Sequence, residues 1–176
     1  MELPFKYLGM TIGGNLMRAE FWNPVVSKIR YRLSRWKDRL LSVAGRICLI
    51  KSVITSLPLF YLSFFRALVV VPNQIRKIQA KFLSGWGYES RKIAWMKWQK
   101  ICSPIAVGGL SIKEIGYFNE ALITKWKWRL VMSEEGLWRN ILEARYETWR
   151  SLDVTLVYRK QSQWWKGLCW ISNKGL

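Results

Sequence analysis

The chain has 176 residues, of which 51% are hydrophobic and 23% are charged, and this composition excludes a wholly disordered chain. Lysine and arginine together number 29 against 11 acidic residues, so the net charge is +18 and a polyanionic partner is expected. The sequence contains no histidine, which excludes Ser-His-Asp triads, Cys-His dyads and histidine-ligated metals.

The cysteines and the first residues bear on cellular location. Cys48, Cys102 and Cys169 are far apart and form no CxxC pair, so no structural zinc is expected and a reducing compartment is favoured. Residues 1–9 lack the charged leader and apolar run of a signal peptide. We therefore expect an intracellular protein, nuclear or cytoplasmic and not secreted, that uses no metal and no other cofactor.

The first predicted elements are a strand and a long helix. Residues 5–12, FKYLGMTI, are short, aromatic and β-branched at the end, and predict a strand followed by a turn at residues 13–15. Residues 20–40 predict one continuous amphipathic helix, because apolar side chains from Trp22 to Leu40 recur on one side of it.

A row of cations flanks the apolar side of this helix. Its members are Lys28, Arg32, Arg35 and Arg39, at spacings of four, three and four residues. A helix face that merely meets solvent would carry acidic residues among its cations, and here they are nearly absent. The row is about 16 Å long, which matches a few phosphate spacings. We predict that it contacts nucleic-acid phosphates without reading bases, and that Arg46 and Lys51 extend the contact.

Capping residues and helix breakers delimit the later helices. Ser42 is a good N-cap, Pro58 ends the helix that Ser42 begins, and Gly85 can end the next one. Ser111 is predicted to cap the long helix after the Gly108-Gly109 turn. The predicted helices are residues 43–57, Pro72 to Gly85, a short one near Trp98, residues 115–132, one capped by Ser133 and ending near Tyr146, and a last one after Ser162.

The apolar residues predict a core rather than a membrane segment. Residues 56–72 are the most apolar stretch, but it is shorter than a membrane span needs and Arg66 lies near its middle, so a buried segment is expected. The tryptophans predicted to lie in the core are Trp22, Trp36, Trp126, Trp128 and Trp138. One of Trp164 and Trp165 can be exposed, because adjacent positions on a helix point apart.

No complete active site is predicted. Two-metal polymerases need carboxylates that converge on the ions, and the two aspartates, Asp38 and Asp153, lie in unrelated parts of the sequence. The sequence has no Walker loop and no GxGxxG fingerprint after a strand. Gly108-Gly109 is interpreted as a turn rather than a phosphate cradle. We expect no enzymatic activity from this chain by itself.

Five segments, taken in the order in which they occur along the chain, can be compared with known protein families. They are YLG at 7–9, WKDRLLSVAGRICLIKSVITSLPLFYLSFF at 36–65, KIAWMKWQKIC at 92–102, GGLSIKEIGYFNEALITKWKWRL at 108–130 and LWRNILEARY at 137–146. In this order they resemble plant LINE-type (non-LTR) retroelement reverse transcriptases, in the region C-terminal to the catalytic palm and upstream of the zinc-binding segment. The resemblance covers nearly the whole chain.

The resemblance implies a mainly α fold, a helical thumb-like bundle with a short N-terminal β segment. It assigns residues 1–15 to the end of the palm and a primer-grip-like strand, residues 16–105 to thumb-like helices and residues 106–176 to a Trp-rich helical connection. The residues that would flank the primer grip are Phe5, Tyr7, Leu8 and Gly9. The parent protein would be an RNA-directed DNA polymerase, and this chain a non-catalytic fragment of it. Its expected partners are the template–primer duplex, RNA or RNA–DNA, held by its phosphates, and the palm domain; a membrane is not expected.

The sequence leaves three alternatives open. The basic helix can instead dock an acidic protein surface, as an interaction module. The apolar stretch 56–72 with its flanking cations can lie on a membrane surface. The chain can also be a non-functional retroelement relic, because the family commonly has FLWG where residues 82–85 are FLSG, and such departures suggest drift.

Overall fold

The structure, a computed structural model, describes residues 5–7, 10–16, 18–36, 41–85, 96–132, 136–146 and 161–174. Within these ranges the chain is mainly α-helical, as predicted. The strands are β1 (Phe5–Tyr7) and β2 (Met10–Ile12). The α-helices are α1 (Ala19–Ser34), α2 (Val43–Leu49), α3 (Leu59–Phe64), α4 (Val70–Ser84), α5 (Trp98–Cys102), α6 (Ile115–Val131), α7 (Leu137–Tyr146) and α8 (Gln163–Asn173). The predicted cap at Ser133 lies outside the described residues.

The chain folds into two compact units. The first unit comprises Met1–Tyr61 and Ala67–Phe118, and the second comprises Leu62–Arg66 and Asn119–Leu176. In the first unit the two strands pair antiparallel, with Tyr7 opposite Met10. A turn at residue 13 follows the second strand.

The core of the first unit forms where α1 packs against α4, with α2 and the segment after it alongside. From α1, Trp22, Ile29 and Leu33 are buried, and they belong to the stripe that the sequence predicted. From α4, Ile75 and Phe82 are buried. Each such side chain contributes about 1.5–3 kcal/mol by leaving water, so this packing rather than helix propensity holds the unit together.

The helix α1 is shorter than the predicted helix over residues 20–40. It ends at Ser34, and Arg35 is its C-cap. The hydroxyl of Ser34 donates to the carbonyl oxygen of Tyr31 at 2.8 Å, and the N–H of Trp36 bonds three residues back to Leu33 at 3.0 Å. Serine competes with the helix for backbone carbonyls in this way, and the last turn tightens. The prediction of one continuous helix to residue 40 was therefore wrong at its C-terminal end.

The second predicted helix begins where expected but changes its winding. Ser42 Oγ accepts the N–H of Gly45 at 3.2 Å, which confirms the predicted N-cap. After α2 the chain continues as a π-helical segment, Ile50–Ile54. Ile50 and Ile54, at its two ends, are both buried, and the hydroxyl of Ser52 donates back to the Cys48 carbonyl at 2.9 Å. Propensity and periodicity did not predict this change.

The start of α6 is capped by a residue other than the one predicted. Glu114 Oε2 accepts the N–H of Tyr117 at 2.9 Å, so Glu114 is the capping side chain. The hydroxyl of Ser111 instead accepts the N–H of Ile105 at 3.1 Å and ties down the 3₁₀ turn Ile105–Val107. The predicted role of Ser111 as the cap of α6 was wrong.

The second unit has an aromatic core. Trp165, Leu168 and Tyr146 are buried, and Trp126 and Trp138 pack against them. Tyr146 and Trp165 stack with ring centroids 4.0 Å apart and planes inclined by 4°. Ser162 Oγ accepts the N–H of Trp165 at 3.2 Å, as predicted for the cap of α8.

Two polar side chains of α6 bond to the C-terminal end of α3. Asn119 is 3% exposed, and its Nδ2 donates to the carbonyl oxygens of Leu62 at 2.7 Å and Phe65 at 2.9 Å. Trp126 Nε1 donates to the Ser63 carbonyl at 2.7 Å. These bonds satisfy carbonyls that a helix end leaves open. Trp128, predicted to lie in the core, is 60% exposed, because it lies on the opposite side of α6 from Ile123 and Leu130.

The apolar stretch 56–72 forms α3 and the first turn of α4. Leu62 and Val71 are buried in it, whereas Arg66 is exposed. The guanidinium of Arg66 lies 3.4 Å from the ring centroid of Trp170, a cation–π contact. Across the ranges that the structure covers, each helix is too short or too polar to cross a membrane.

Candidate nucleic-acid interface

The predicted cation row is exposed on α1. Lys28, Arg32 and Arg35 all point away from the buried stripe, and Arg35 stands just beyond the last helical turn. Arg39 lies outside the described residues. From Lys28 to Arg35 the row follows about 10 Å of helix axis, enough for a short run of phosphates. The structure thus brings three of the four predicted row residues together.

The electrostatic surroundings of this row are one-sided. The carboxylates among the described side chains of the first unit are Glu20 and Glu114. Within the described residues, neither forms an ion pair with Lys28, Arg32 or Arg35. The positive potential of this helix face is therefore not neutralised by any carboxylate that the structure describes, and such a potential attracts anions.

An aromatic side chain that the sequence prediction missed lies on the same exposed face. Tyr31 is 65% exposed, and it is placed three residues after Lys28 and four before Arg35. Residues at these spacings are neighbours on a helix surface. Its position on the helix wheel, opposite Trp22, is the sequence signal that would have found it.

The two cations predicted to extend the contact have different environments. Lys51 is exposed on the π-helical segment. Arg46 is half-buried, and its Nη1 donates to the carbonyl oxygen of Leu83 at 3.3 Å. Arg46 therefore caps the C-terminal end of α4, a contact inside the first unit.

Further exposed cations lie on α4. They are Arg76, Lys77 and Lys81, and the sequence of this helix contains no acidic residue. The α4 sequence thus shares with the α1 row the pattern of cations without acidic neighbours, and this pattern would have predicted these three cations.

Two of the predicted primer-grip residues lie in the N-terminal hairpin. Phe5 and Tyr7 are the ends of β1, paired with Ile12 and Met10 of β2. Leu8 and Gly9 lie outside the described residues. The structure therefore places the backbone of two of these four residues.

A cleft of about 650 Å³ opens in the first unit between α5 and the start of α6. Its walls include the apolar Pro104 and Ile112, the aromatic Tyr117 and Phe118, and the charged Lys113. Such a volume lies within the range of small-molecule sites, roughly 300–1,000 Å³. No single motif marks this cleft in the sequence, because its walls come from separate segments.

The thiol of Cys102 lies on the wall of this cleft. Burial raises the pKa of Cys102 above its ordinary value, the negative charge of Glu114 raises this pKa further, and the positive charge of Arg76 opposes both. The cysteine is therefore held in its protonated form near neutral pH. Among the described residues, no three histidine, cysteine or acidic side chains are grouped so that they could hold a metal ion.

Comparison with known proteins finds two relatives in Arabidopsis thaliana. "Putative ribonuclease H protein At1g65750" is 31% identical over 158 residues, which cover 80% of this chain and 26% of that protein. "Uncharacterized mitochondrial protein AtMg00310" is 29% identical over 114 residues, which cover 64% of this chain and 74% of that protein. No family model and no solved structure matches. The chain thus spans about a quarter of the length of the first relative and is homologous to both proteins.

Proposed function

We propose that the chain derives from a retroelement and corresponds to the thumb and connection of a reverse transcriptase. Two observations support this proposal. Five segments of the sequence, including residues 36–65 and 108–130, follow the order of the plant LINE-type family. A relative that is 31% identical is named as a putative ribonuclease H protein, and it is much longer than the matched region.

The biochemical role proposed for the first unit is to hold an RNA or RNA–DNA duplex by its phosphates. The observation that carries this role is the exposed row of Lys28, Arg32 and Arg35 without a carboxylate partner among the described residues. Phosphate contacts from lysine and arginine position a duplex but carry no sequence information. We therefore expect binding that depends strongly on salt and weakly on sequence.

In this proposal the chain grips the duplex and does not polymerise. Polymerisation requires convergent carboxylates for two metal ions, and the sequence contains only Asp38 and Asp153 as aspartates. The catalytic carboxylates would belong to a palm domain. Docking to that palm is the second partnership that the proposal includes.

The test is a charge reversal on α1. The double variant Arg32→Glu/Arg35→Glu is expected to weaken duplex binding. The plot of log association constant against log salt concentration should also become shallower, by about two in the magnitude of its slope, because two phosphate contacts are lost. The matched control is Lys125→Glu/Lys166→Glu. It changes the net charge equally, through exposed cations of α6 and α8.

The outcomes separate the proposal from its alternatives. A reduced slope in the α1 variant, with the control close to wild type, supports the proposal. Equal losses in both variants would mean that total charge alone attracts the duplex, and the α1 site would be abandoned. If an acidic polypeptide displaces RNA and binds more tightly at every salt concentration, the interaction-module alternative is favoured.

A further inference from the structure

We propose that the cleft between α5 and α6 binds one unstacked nucleobase of a single-stranded RNA, with Tyr117 as the stacking surface. This inference rests on the proposed function and extends it from duplex to unpaired strand. The cleft lies in the first unit, and its location on α5 and α6 makes it separate from the α1 row.

Tyr117 has the exposure that stacking requires. It is 75% exposed and lines the cleft at the first turn of α6. The neighbouring ring of Phe118 is covered on one face by Lys113, whose Nζ lies 4.2 Å from the ring centroid. Tyr117 is therefore the ring that a base can cover, and Phe118 with Lys113 forms a wall beside it.

The backbone that forms the cleft is held firmly. The N–H of Ser111 donates to the Ser103 carbonyl at 2.9 Å, and the N–H of Leu110 donates to the Ile101 carbonyl at 2.9 Å. A Cβ on Gly109 would collide with the Ser103 carbonyl, so this close approach requires glycine. These contacts preorganise the cleft, which reduces the cost of binding.

The charges around the cleft favour a nucleotide over a neutral ligand. Lys113 is exposed on its wall, and Arg76 lies close enough to Cys102 for its charge to act on the thiol pKa. Glu114 is the one described carboxylate among the lining residues, and it already accepts the N–H of Tyr117. A base with its attached phosphate fits this combination of an aromatic surface and nearby cations.

The cleft is expected to prefer an unpaired strand to a duplex, because only an unpaired base can reach the ring of Tyr117. A base inside a helix is stacked on both faces and cannot cover an aromatic ring, whereas unpaired bases can be splayed out. Aromatic stacking also tolerates any base, which suits a protein that holds nucleic acid without sequence preference.

The experiment compares single-stranded RNA with a duplex of the same sequence, using the full chain. Tyr117→Ala is expected to weaken single-strand binding about tenfold and to leave duplex binding unchanged, while Tyr117→Phe restores single-strand binding. The control is Trp128→Ala, which removes another exposed aromatic ring, 60% accessible, from the second unit. An RNA carrying one 4-thiouridine is expected to cross-link to the peptide that contains Tyr117.

Failure of this inference can be told apart from failure of the proposed function. If duplex binding depends on Arg32 and Arg35 while Tyr117→Ala binds the single strand normally, only the cleft proposal is overturned. A cross-link confined to other peptides, or an equal loss in Trp128→Ala, also overturns it. If neither RNA form binds, both proposals are overturned together.

Discussion

The guanidinium of Arg46 donates to the carbonyl oxygen of Leu83 at 3.3 Å, and this bond joins α2 to the end of α4. The chain leaves α4 at Gly85, whose φ of 84° and ψ of 146° are accessible almost only to glycine. A residue that the sequence predicted as a phosphate contact therefore also caps a helix. Arg46 retains donors for an anion, but its half-buried position makes stability the first property that its loss would change.

Gly85→Ala is expected to lower the free energy of unfolding by about 1–3 kcal/mol, because alanine is strained at this φ and ψ. An added Cβ would lie 2.8 Å from Arg46 Nη1, so the substitution also displaces the capping guanidinium. Urea denaturation followed by circular dichroism measures the change.

Gly45→Ala is the control for that substitution. Gly45 lies inside α2, and its Cβ would meet ordinary contacts of 3.5 Å with Ser42 and 3.6 Å with Leu41. Alanine there is expected to stabilise the fold by about 0.5–1 kcal/mol. In an Arg46→Ala background, Gly85→Ala should lower the free energy of unfolding by less, because the guanidinium is gone and only the backbone strain remains. An unchanged cost would show that the two residues are not coupled.

Asn119→Ala is expected to destabilise the second unit by roughly 2–4 kcal/mol, because the carbonyls of Leu62 and Phe65 lose a donor in a buried place. The control is Asn140→Ala, an exposed asparagine on α7 whose loss should change stability by less than about 0.5 kcal/mol. Equal effects of the two substitutions in urea denaturation would contradict the capping role of Asn119.

Much of the helical fold could be predicted from single residues with local effects. Ser42 and Ser162 cap the helices that were assigned to them, and Gly85 ends α4. These predictions succeeded because a cap or a positive φ depends on a few neighbouring atoms. The end of α1 was predicted wrongly because the apolar pattern on the helical wheel continues to Leu40, whereas the N–H of Trp36 bonds only three residues back, to Leu33. A helical wheel shows periodicity and does not report such a change in backbone bonding.

The candidate site could be predicted only in part, for a different reason. Lys28 and Arg32 are exposed because the helical repeat of apolar residues in α1 puts them off the buried stripe. Their exposure could therefore be predicted from the sequence alone. The bond from Arg46 to Leu83 joins residues 37 positions apart, and the cleft combines α5, the segment after it and α6. Contacts of this kind depend on packing and have no local signature.

Tyr146→Phe is expected to lower the stability of the second unit by about 1–2 kcal/mol while leaving the stacked ring in place. The hydroxyl of Tyr146 donates to Ser162 Oγ at 3.0 Å and accepts the N–H of Ser162 at 3.1 Å, so it fixes the start of α8. Near-ultraviolet circular dichroism during urea denaturation reports the aromatic core. Tyr31→Phe, on an exposed ring, is the control, and a comparable loss there would argue against the role of the Tyr146 hydroxyl.

The thiol of Cys102 is expected to ionise at a pH above its ordinary value of 9.0, chiefly because of burial. Because the folded pKa is raised, the stability that this thiol contributes is fully present below the pKa of the unfolded chain. It is lost as the pH rises through the folded value. In a Cys48→Ser/Cys169→Ser background, the pH dependence of iodoacetamide labelling gives the midpoint for Cys102. The same measurement in urea should return it to the ordinary value.

Two charge substitutions test whether the cleft has the geometry described. Glu114→Gln removes a negative charge that raises the pKa of Cys102, so the labelling midpoint should fall. Arg76→Gln removes a positive charge that lowers this pKa, so the midpoint should rise. Because the two substitutions act in opposite directions, a general loosening of the fold cannot imitate both. If both move the midpoint the same way, Arg76 and Glu114 do not both act on Cys102, and the charges assigned to the surroundings of this thiol are wrong.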